Sequence, residues 1–326
     1  MLKKIKEYIK NHIDTKLEKP ILTGKPHVLV GLSGGPDSVF LFHVLKSFEE
    51  EGLIKLSAAH LNHGWRPEAV EEALFCKKLC ERHDVAIFVE HIKDSEFKIK
   101  FNGSKEEVGR FYRRRFFERV REQNDVDYVA LAHHLQDQQE TFFIRMIRGC
   151  SLAGLTAIKP VQGFYIRPLL KVAKSEILRY LEDNGIEYVT DASNESDDYL
   201  RNRIRKYVMP ALSQADERFD QKFQTTLDTL EQEERLLKGV ADQAYERVFE
   251  GSRGCKEAFG ALDSVLQKRV LVKWLCEQDV KFCPSTRFLD EIVRFVVSDR
   301  GGAHNIHLDW QIRKKSGKFW IEKLVK

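Results

Sequence analysis

Several features are missing from this sequence, and each absence removes a class of function. The cysteines, at positions 76, 80, 150, 255, 276 and 283, never form a CxxC pair, so the spacing of a zinc knuckle or a redox dithiol is absent. Cys76 and Cys80 stand one helical turn apart on a shared face, which reads as two buried packing thiols rather than half a metal site. No run of about 18 apolar residues occurs, so no segment reads as a membrane-spanning helix. Met1 to Lys19 mixes Lys, Glu, Asp and Ile without the apolar centre of a signal peptide. That segment reads as a surface helix on a soluble, cytoplasmic protein with reduced thiols. No GK[ST] follows the main glycine pair and no G-x-G-x-x-G follows a strand, which excludes Walker-type and dinucleotide-binding loops.

What is present is an alternation. At 326 residues the chain is about twice the usual domain size. Short apolar runs at His27–Leu32, Leu56–Leu61, Val85–His91, Val126–Ala132 and Phe164–Arg167 read as strands. Amphipathic stretches at Pro36–Glu50, Pro67–His83, Ser104–Gln123, Asp137–Arg148 and Lys174–Asn184 lie between and after them and read as helices. Such alternation predicts α/β architecture with a doubly wound parallel sheet, whose ligands bind beyond the carboxyl ends of the strands. After Pro210 the pattern changes to a long helical stretch over Ser213–Arg247, further helices at Ala261–Glu277 and Ser285–Ser298, and a terminal hairpin around Ser316-Gly317. The expected division is a nucleotide-binding domain over 1–212 and a smaller, α-rich domain over 213–326.

The most informative segment follows the first strand: Ser33-Gly34-Gly35-Pro36-Asp37-Ser38. Two glycines let backbone N–H groups approach an anion, Pro36 suits a first helical turn, and a helix amino end favours negative charge. Ser33 and Ser38 add hydroxyl donors for phosphate oxygens. The next strand ends in His60-Leu61-Asn62-His63-Gly64-Trp65-Arg66, polar groups able to meet a base, a phosphate or a carboxylate. The fourth ends in His133-His134, and Asp137 and Glu140 then share a face at a helix start. A carboxylate pair beside bound phosphates suits Mg²⁺, which prefers oxygen ligands; the same residues would also stabilise a first helical turn. Glu106, Arg110 and Arg113 share another helical face. Net charge is only +4, but basic residues cluster at Arg110–Arg121, at Arg201–Lys206 and at Arg313–Lys318. Three clusters on a nearly balanced chain suggest local contact with a polyanion, against the simpler reading of solvated helix faces.

S-G-G-x-D-S after a first strand resembles the pyrophosphatase loop of the N-type ATP pyrophosphatases, which include GMP, asparagine and argininosuccinate synthetases and several tRNA-modifying enzymes. Further segments, in order, resemble the tRNA(Ile)-lysidine synthetase family. They are His60/Asn62/His63/Gly64/Arg66, Glu106/Arg110/Arg113, His133/His134/Asp137/Gln138/Glu140/Thr141, Arg148-Gly149, Arg167-Pro168-Leu169, Asp191/Ser193/Asn194 and Arg201-Asn202-Arg203-Ile204-Arg205. The match spans about residues 27–207, and the region from 215 onward resembles the family's first C-terminal domain more loosely. One position departs: the family's first aspartate in D-D-Q is Gln136.

The resemblance implies an adenine nucleotide α-hydrolase-like fold and a defined chemistry. ATP would adenylate the carbonyl oxygen at carbon 2 of the wobble cytosine in a CAU-anticodon isoleucine tRNA. The ε-amine of free L-lysine would then displace AMP. On this reading Ser33, Gly34, Gly35, Pro36, Asp37, Ser38, His60, Asn62 and Arg66 bind ATP. Asp37, Asp137, Glu140, His133 and Arg113 carry the reaction, with Asp37 and Asp137 also holding Mg²⁺. Arg110, Arg201, Asn202, Arg203 and Arg205 contact the tRNA, and the C-terminal domain adds to that contact. Oligomeric state is left open, with a homodimer among the options. Two alternatives stand beside it: a tRNA thiolase of the same superfamily, and a non-catalytic RNA-binding protein with a relic nucleotide site.

Overall fold

The computed structural model describes residues 25–65, 68–95, 105–190, 199–282 and 285–324, with Lys105 and Glu106 described by backbone alone. The expected amino-terminal helix, Arg66, the Glu106 side chain, Asp191, Ser193, Asn194 and Cys283 lie outside the described residues. The chain divides into two compact units, Met1–Leu227 and Asp228–Lys326. The division falls within one helix, Phe219–Val248. No helix among the described residues is long and apolar enough to cross a membrane.

In the first unit, β1 (His27–Gly31), β2 (Lys55–Asn62), β3 (Ala86–His91), β4 (Tyr128–Ala130), β5 (Val161–Gln162) and β6 (Tyr165–Ile166) form one sheet in the order β3-β2-β1-β4-β6-β5. All neighbours pair in parallel except β5 with β6. Val28, Leu29 and Val30 are completely buried, as expected of a central strand covered on both faces. Val28 and Val30 face a core built with α1 (Pro36–Glu50), α2 (Ala69–Arg82) and α6 (Lys174–Asp183). Leu29 points the other way, toward Phe116, Phe117 and Val120 of α3 (Lys105–Gln123). Cys76 and Cys80 are buried in the first of these cores, and burial pushes both thiols up to about 12. They are packing groups.

The strand order reverses beside β1: the chain runs outward through β2 and β3, then returns to add β4 on the opposite edge. This is the switch point at which the loops after β1 and β4 part to leave a crevice. α4 (Leu135–Arg148) begins there. α5 (Leu152–Leu155) follows it, and α7 (Leu200–Arg203) continues through a π-helical stretch, Ile204–Val208, into α8 (Met209–Ala215). The expected single helix over Ser213–Arg247 is two helices. Asp216 adopts an extended backbone and its Oδ1 accepts the Arg218 backbone N–H at 2.8 Å, which breaks α8 from α9 (Phe219–Val248).

The second unit is α-rich as expected, and it adds a sheet of which only the terminal hairpin is legible in the sequence. β7 (Phe249–Glu250), β8 (Arg253–Cys255), β9 (Gly302–His307), β10 (Trp310–Lys315) and β11 (Lys318–Lys323) form an antiparallel sheet in the order β7-β8-β11-β10-β9. Two- and three-residue strands carry too little periodicity to be read from sequence. α10 (Lys256–Gly260), α11 (Ser264–Glu277) and α12 (Thr286–Val297) complete the unit. Phe259, Trp274, Ile292, Ile312 and Phe319 are completely buried in its core. The basic tail is also divided by strand geometry. Alternation turns Arg313 and Lys315 outward and Lys314 inward. Lys314 Nζ donates to the carbonyls of Phe295 at 2.6 Å and Ser298 at 2.5 Å, capping the carboxyl end of α12. Only part of that cluster faces outward.

Close packing at Gly254 gives a direct test of this core. A Cβ there would stand 2.3 Å from Cζ of Phe319, a buried ring with no room to withdraw. Gly254→Ala is expected to destabilise the second unit by about 1–3 kcal/mol in denaturant unfolding. An unchanged midpoint would contradict the packing described.

Candidate active site

The loop after β1 is shaped from within. Ser38 Oγ accepts the Ser33 backbone N–H at 3.1 Å and donates to the Gly35 carbonyl at 3.0 Å; it also meets Ser33 Oγ at 3.0 Å. Gly34 has φ +90°, in the left-handed region that disfavours side chains, and its carbonyl accepts the Val189 N–H at 2.9 Å. Pro36 opens α1 and Asp37 follows it in the first turn. The first N–H groups of a helix have no intrahelical partner, and a helix start after a central strand of the sheet is the general design of an anion site.

Residues from β2 brace the loop from the side. His60 Nδ1 pairs with the Leu32 carbonyl at 2.9 Å, and its buried Nε2 has no hydrogen-bond partner among the described residues. Asn62 donates to the Ala69 carbonyl and accepts the Gly64 N–H, which holds the turn that carries His63 and Trp65. Those two rings stack at 4.7 Å, and Arg113 Nη2 reaches His63 Nε2 at 3.3 Å.

The second half of the crevice comes from β4 and the start of α4. His134 caps the helix: its Nδ1 accepts the Gln136 N–H at 3.2 Å, and Asp137 Oδ2 accepts the His134 N–H at 2.9 Å. His134 Nε2 then stands 3.7 Å from Asp37 Oδ2 and 3.6 Å from Asp137 Oδ2. Two carboxylates from different helices therefore converge on one imidazole. Burial pushes toward the neutral acid at Asp137, but His134, His133, the His134 N–H and Arg201 outweigh it and hold the carboxyl below its usual range. Beside it, burial together with nearby Arg167, Arg201 and Arg113 drives His133 down to about 4, against the pull of Asp137. His133 is thus neutral at pH 7, and its buried Nδ1 has no partner among the described residues.

One helical turn further, Glu140 is 1% exposed. A carboxylate so deep requires compensation. Arg201 Nε reaches Glu140 Oε2 at 2.8 Å, while Arg205 bonds both Glu140 oxygens at 2.6 and 3.1 Å. Arg201 Nη2 also lies 3.4 Å from Asp137 Oδ1. Both guanidiniums, expected on RNA phosphates, are turned inward toward this pair of carboxylates. Arg203 and Arg110 are exposed, and Asn202 sits between the two inward arginines on α7.

Several participants carried no sequence signal. Lys174, at the start of α6, places Nζ 2.5 Å from Asp37 Oδ1 across 137 residues of chain. Gln136 accepts the Lys174 backbone N–H at 2.8 Å, and Asp220 accepts from Gln139 at 2.7 Å. Arg167, whose sequence signal is only its place in a motif, is buried and donates to the Lys159 carbonyl at 2.8 Å. Spacing cannot reveal such contacts, because each joins elements that are distant in the chain.

The donor set fits Mg²⁺ in a limited sense. No group of three or more His, Cys, Asp or Glu suited to a metal occurs among the described residues. Two convergent carboxylates match what a nucleotide-borne Mg²⁺ takes from protein, with phosphate and water supplying the rest.

Fold and site together define a doubly wound α/β protein with an anion-binding loop and paired carboxylates at its switch point. The chain belongs to the PP-loop domain family, whose model matches residues 3–212. It is 34% identical over 280 residues to a tRNA(Ile)-lysidine synthase of Geobacillus kaustophilus, covering 83% of this chain and 59% of that one. It is 33% identical over 253 residues to the tRNA(Ile)-lysidine synthase of Bacillus subtilis, covering 76% and 52%. The chain therefore spans between half and three fifths of the length of these relatives. Among solved structures, a U34-tRNA thiolase, NcsA, of Methanococcus maripaludis superposes with a TM-score of 0.56 at 21% identity, covering 70% of this chain and 79% of that one. That likeness concerns the fold.

The Glu140 network is testable without any ligand. Glu140→Gln keeps the shape and removes the charge facing two arginines. The expected loss is about 2–3 kcal/mol, below the fully buried range because both guanidiniums keep some solvent. Amide exchange over 200–208 should also quicken. Unchanged stability and exchange would mean that the pairs do not organise this segment.

Proposed function

We propose that this chain catalyses ATP-dependent ligation of lysine to carbon 2 of the wobble cytidine of a CAU-anticodon isoleucine tRNA. The observation that carries the reading is the convergence of Asp37 and Asp137 at the switch point of a PP-loop fold. The names of the relatives supply the substrate class.

In this proposal the triphosphate lies on the N–H groups of Gly34, Gly35, Asp37 and Ser38, with the Ser33 and Ser38 hydroxyls as additional donors. Mg²⁺ held by Asp37 and Asp137 would neutralise phosphate charge. The wobble base, unpaired in an anticodon loop, enters an accessible pocket and presents its carbonyl oxygen to the α phosphorus. That oxygen forms a bond to phosphorus as pyrophosphate leaves. The lysine amine then attacks carbon 2, AMP departs, and the surplus proton passes to a nearby base. Asp137 and His133 are the nearby groups able to relay that proton to solvent; the low proton affinity of both means that neither retains it. Arg113, at the rim with His63, faces the incoming anion. Arg110 and Arg203, both exposed, contact tRNA phosphates, together with the second unit. Arg201 and Arg205 hold Glu140 in place, and Arg201 also meets Asp137. Cytoplasmic action follows from such a substrate.

The test is incorporation. Full-length chain incubated with ATP, Mg²⁺, labelled lysine and unmodified CAU-anticodon isoleucine tRNA is expected to transfer label to the tRNA. Asp37→Ala should reduce transfer by about 100-fold or more, the scale of losing a main electrostatic contributor. No lysine label, with sulfur entering the tRNA instead, would establish the thiolase reading and discard this one.

A further inference from the structure

The position where the sequence leaves the family pattern is the one that organises an unassigned lysine. Gln136 Oε1 accepts the backbone N–H of Lys174 at 2.8 Å, and its Nε2 donates to Asp220 Oδ2 at 3.4 Å. Asp220 is itself held by Gln139 at 2.7 Å, and the start of α9 is anchored by packing of Phe223 and Leu227 on Leu135. Lys174 is the first residue of α6, so its N–H is one that the helix cannot satisfy internally. The clamp fixes the backbone of Lys174, and its side chain then crosses to Asp37, at 2.5 Å.

Stability does not account for this lysine. A cation in the first turn of a helix opposes the helix dipole, so α6 gains nothing from it. The Lys174 and Asp37 side chains are 30% and 28% exposed, and a pair so open to solvent contributes about 0–1 kcal/mol. A ligand does account for it. The ammonium stands at the amino end of α1, where the outer phosphates of a nucleotide would lie, and the loop contains no lysine of its own.

We infer that Lys174 is the phosphate-gripping cation of this site and that Gln136 is the positioning residue that aims it. The inference rests on the ATP reading above and deepens it. In the ligand-free site Lys174 neutralises Asp37. When the triphosphate arrives it exchanges that carboxylate oxygen for a phosphate oxygen, which releases Asp37 for its second role.

Equilibrium dialysis of the full chain with Mg²⁺-ATP and, separately, with AMP tests this. Loss of one charge-assisted contact predicts that Lys174→Gln weakens ATP binding about tenfold or more and leaves AMP binding within about twofold. Lys174→Arg is expected to restore ATP binding to within about threefold. Gln136→Leu, which removes only the clamp, should weaken ATP binding less than Lys174→Gln and again spare AMP. Unaltered ATP affinity in Lys174→Gln overturns the inference, as does an equal loss of ATP and AMP. Failure of the unsubstituted chain to bind either nucleotide overturns the ATP reading as well, which separates the two failures.

Discussion

Three carboxylates share the crevice between β1 and β4, and their mutual repulsion is the constraint on which the rest of the site depends. Asp37 comes from the first turn of α1; Asp137 and Glu140 come from the helix after β4, with Glu140 almost fully buried. Carboxylates gathered in one crevice, and Glu140 above all at its depth, remain ionised only when cations or hydrogen-bond donors surround them. The chain supplies these from distant segments: His134 between the two aspartates, Lys174 on Asp37, and Arg201 and Arg205 on Glu140. α6, α7 and the π-helical stretch are therefore tied to the crevice by charge as well as by packing. A π-helical segment is costlier than an α-helical one and concentrates at functional sites, which agrees with Arg205 lying in it.

Much of this could be read from residues alone. The parallel sheet follows from alternating apolar runs and amphipathic stretches, and the turn from β1 into α1 from two glycines, a proline and flanking serines. Other features could not be read. The charge partners of Asp37 and Glu140 lie 137 and 61 to 65 residues away, and no periodicity joins such positions. Arg201 and Arg205 looked like phosphate-binding forks because arginine suits both roles; only the depth of Glu140 distinguishes them. Lys314 was grouped with an outward basic cluster until strand alternation turned it inward. The small strands β7 and β8 are too short to carry a pattern.

Gln136 illustrates how a departure from a family motif can be resolved physically. An amide there keeps an acceptor for the Lys174 N–H and adds a donor for Asp220, which a carboxylate lacks. It also removes one negative charge from a site that already contains three carboxylates. The amide thus adds no fourth carboxylate to the crevice.

The account stands on where the nucleotide is cut. With ATP labelled at the α phosphorus, unmodified CAU-anticodon isoleucine tRNA, lysine and Mg²⁺, the full chain should release label as AMP, in step with pyrophosphate. Label appearing as ADP, with inorganic phosphate as the co-product, would contradict it.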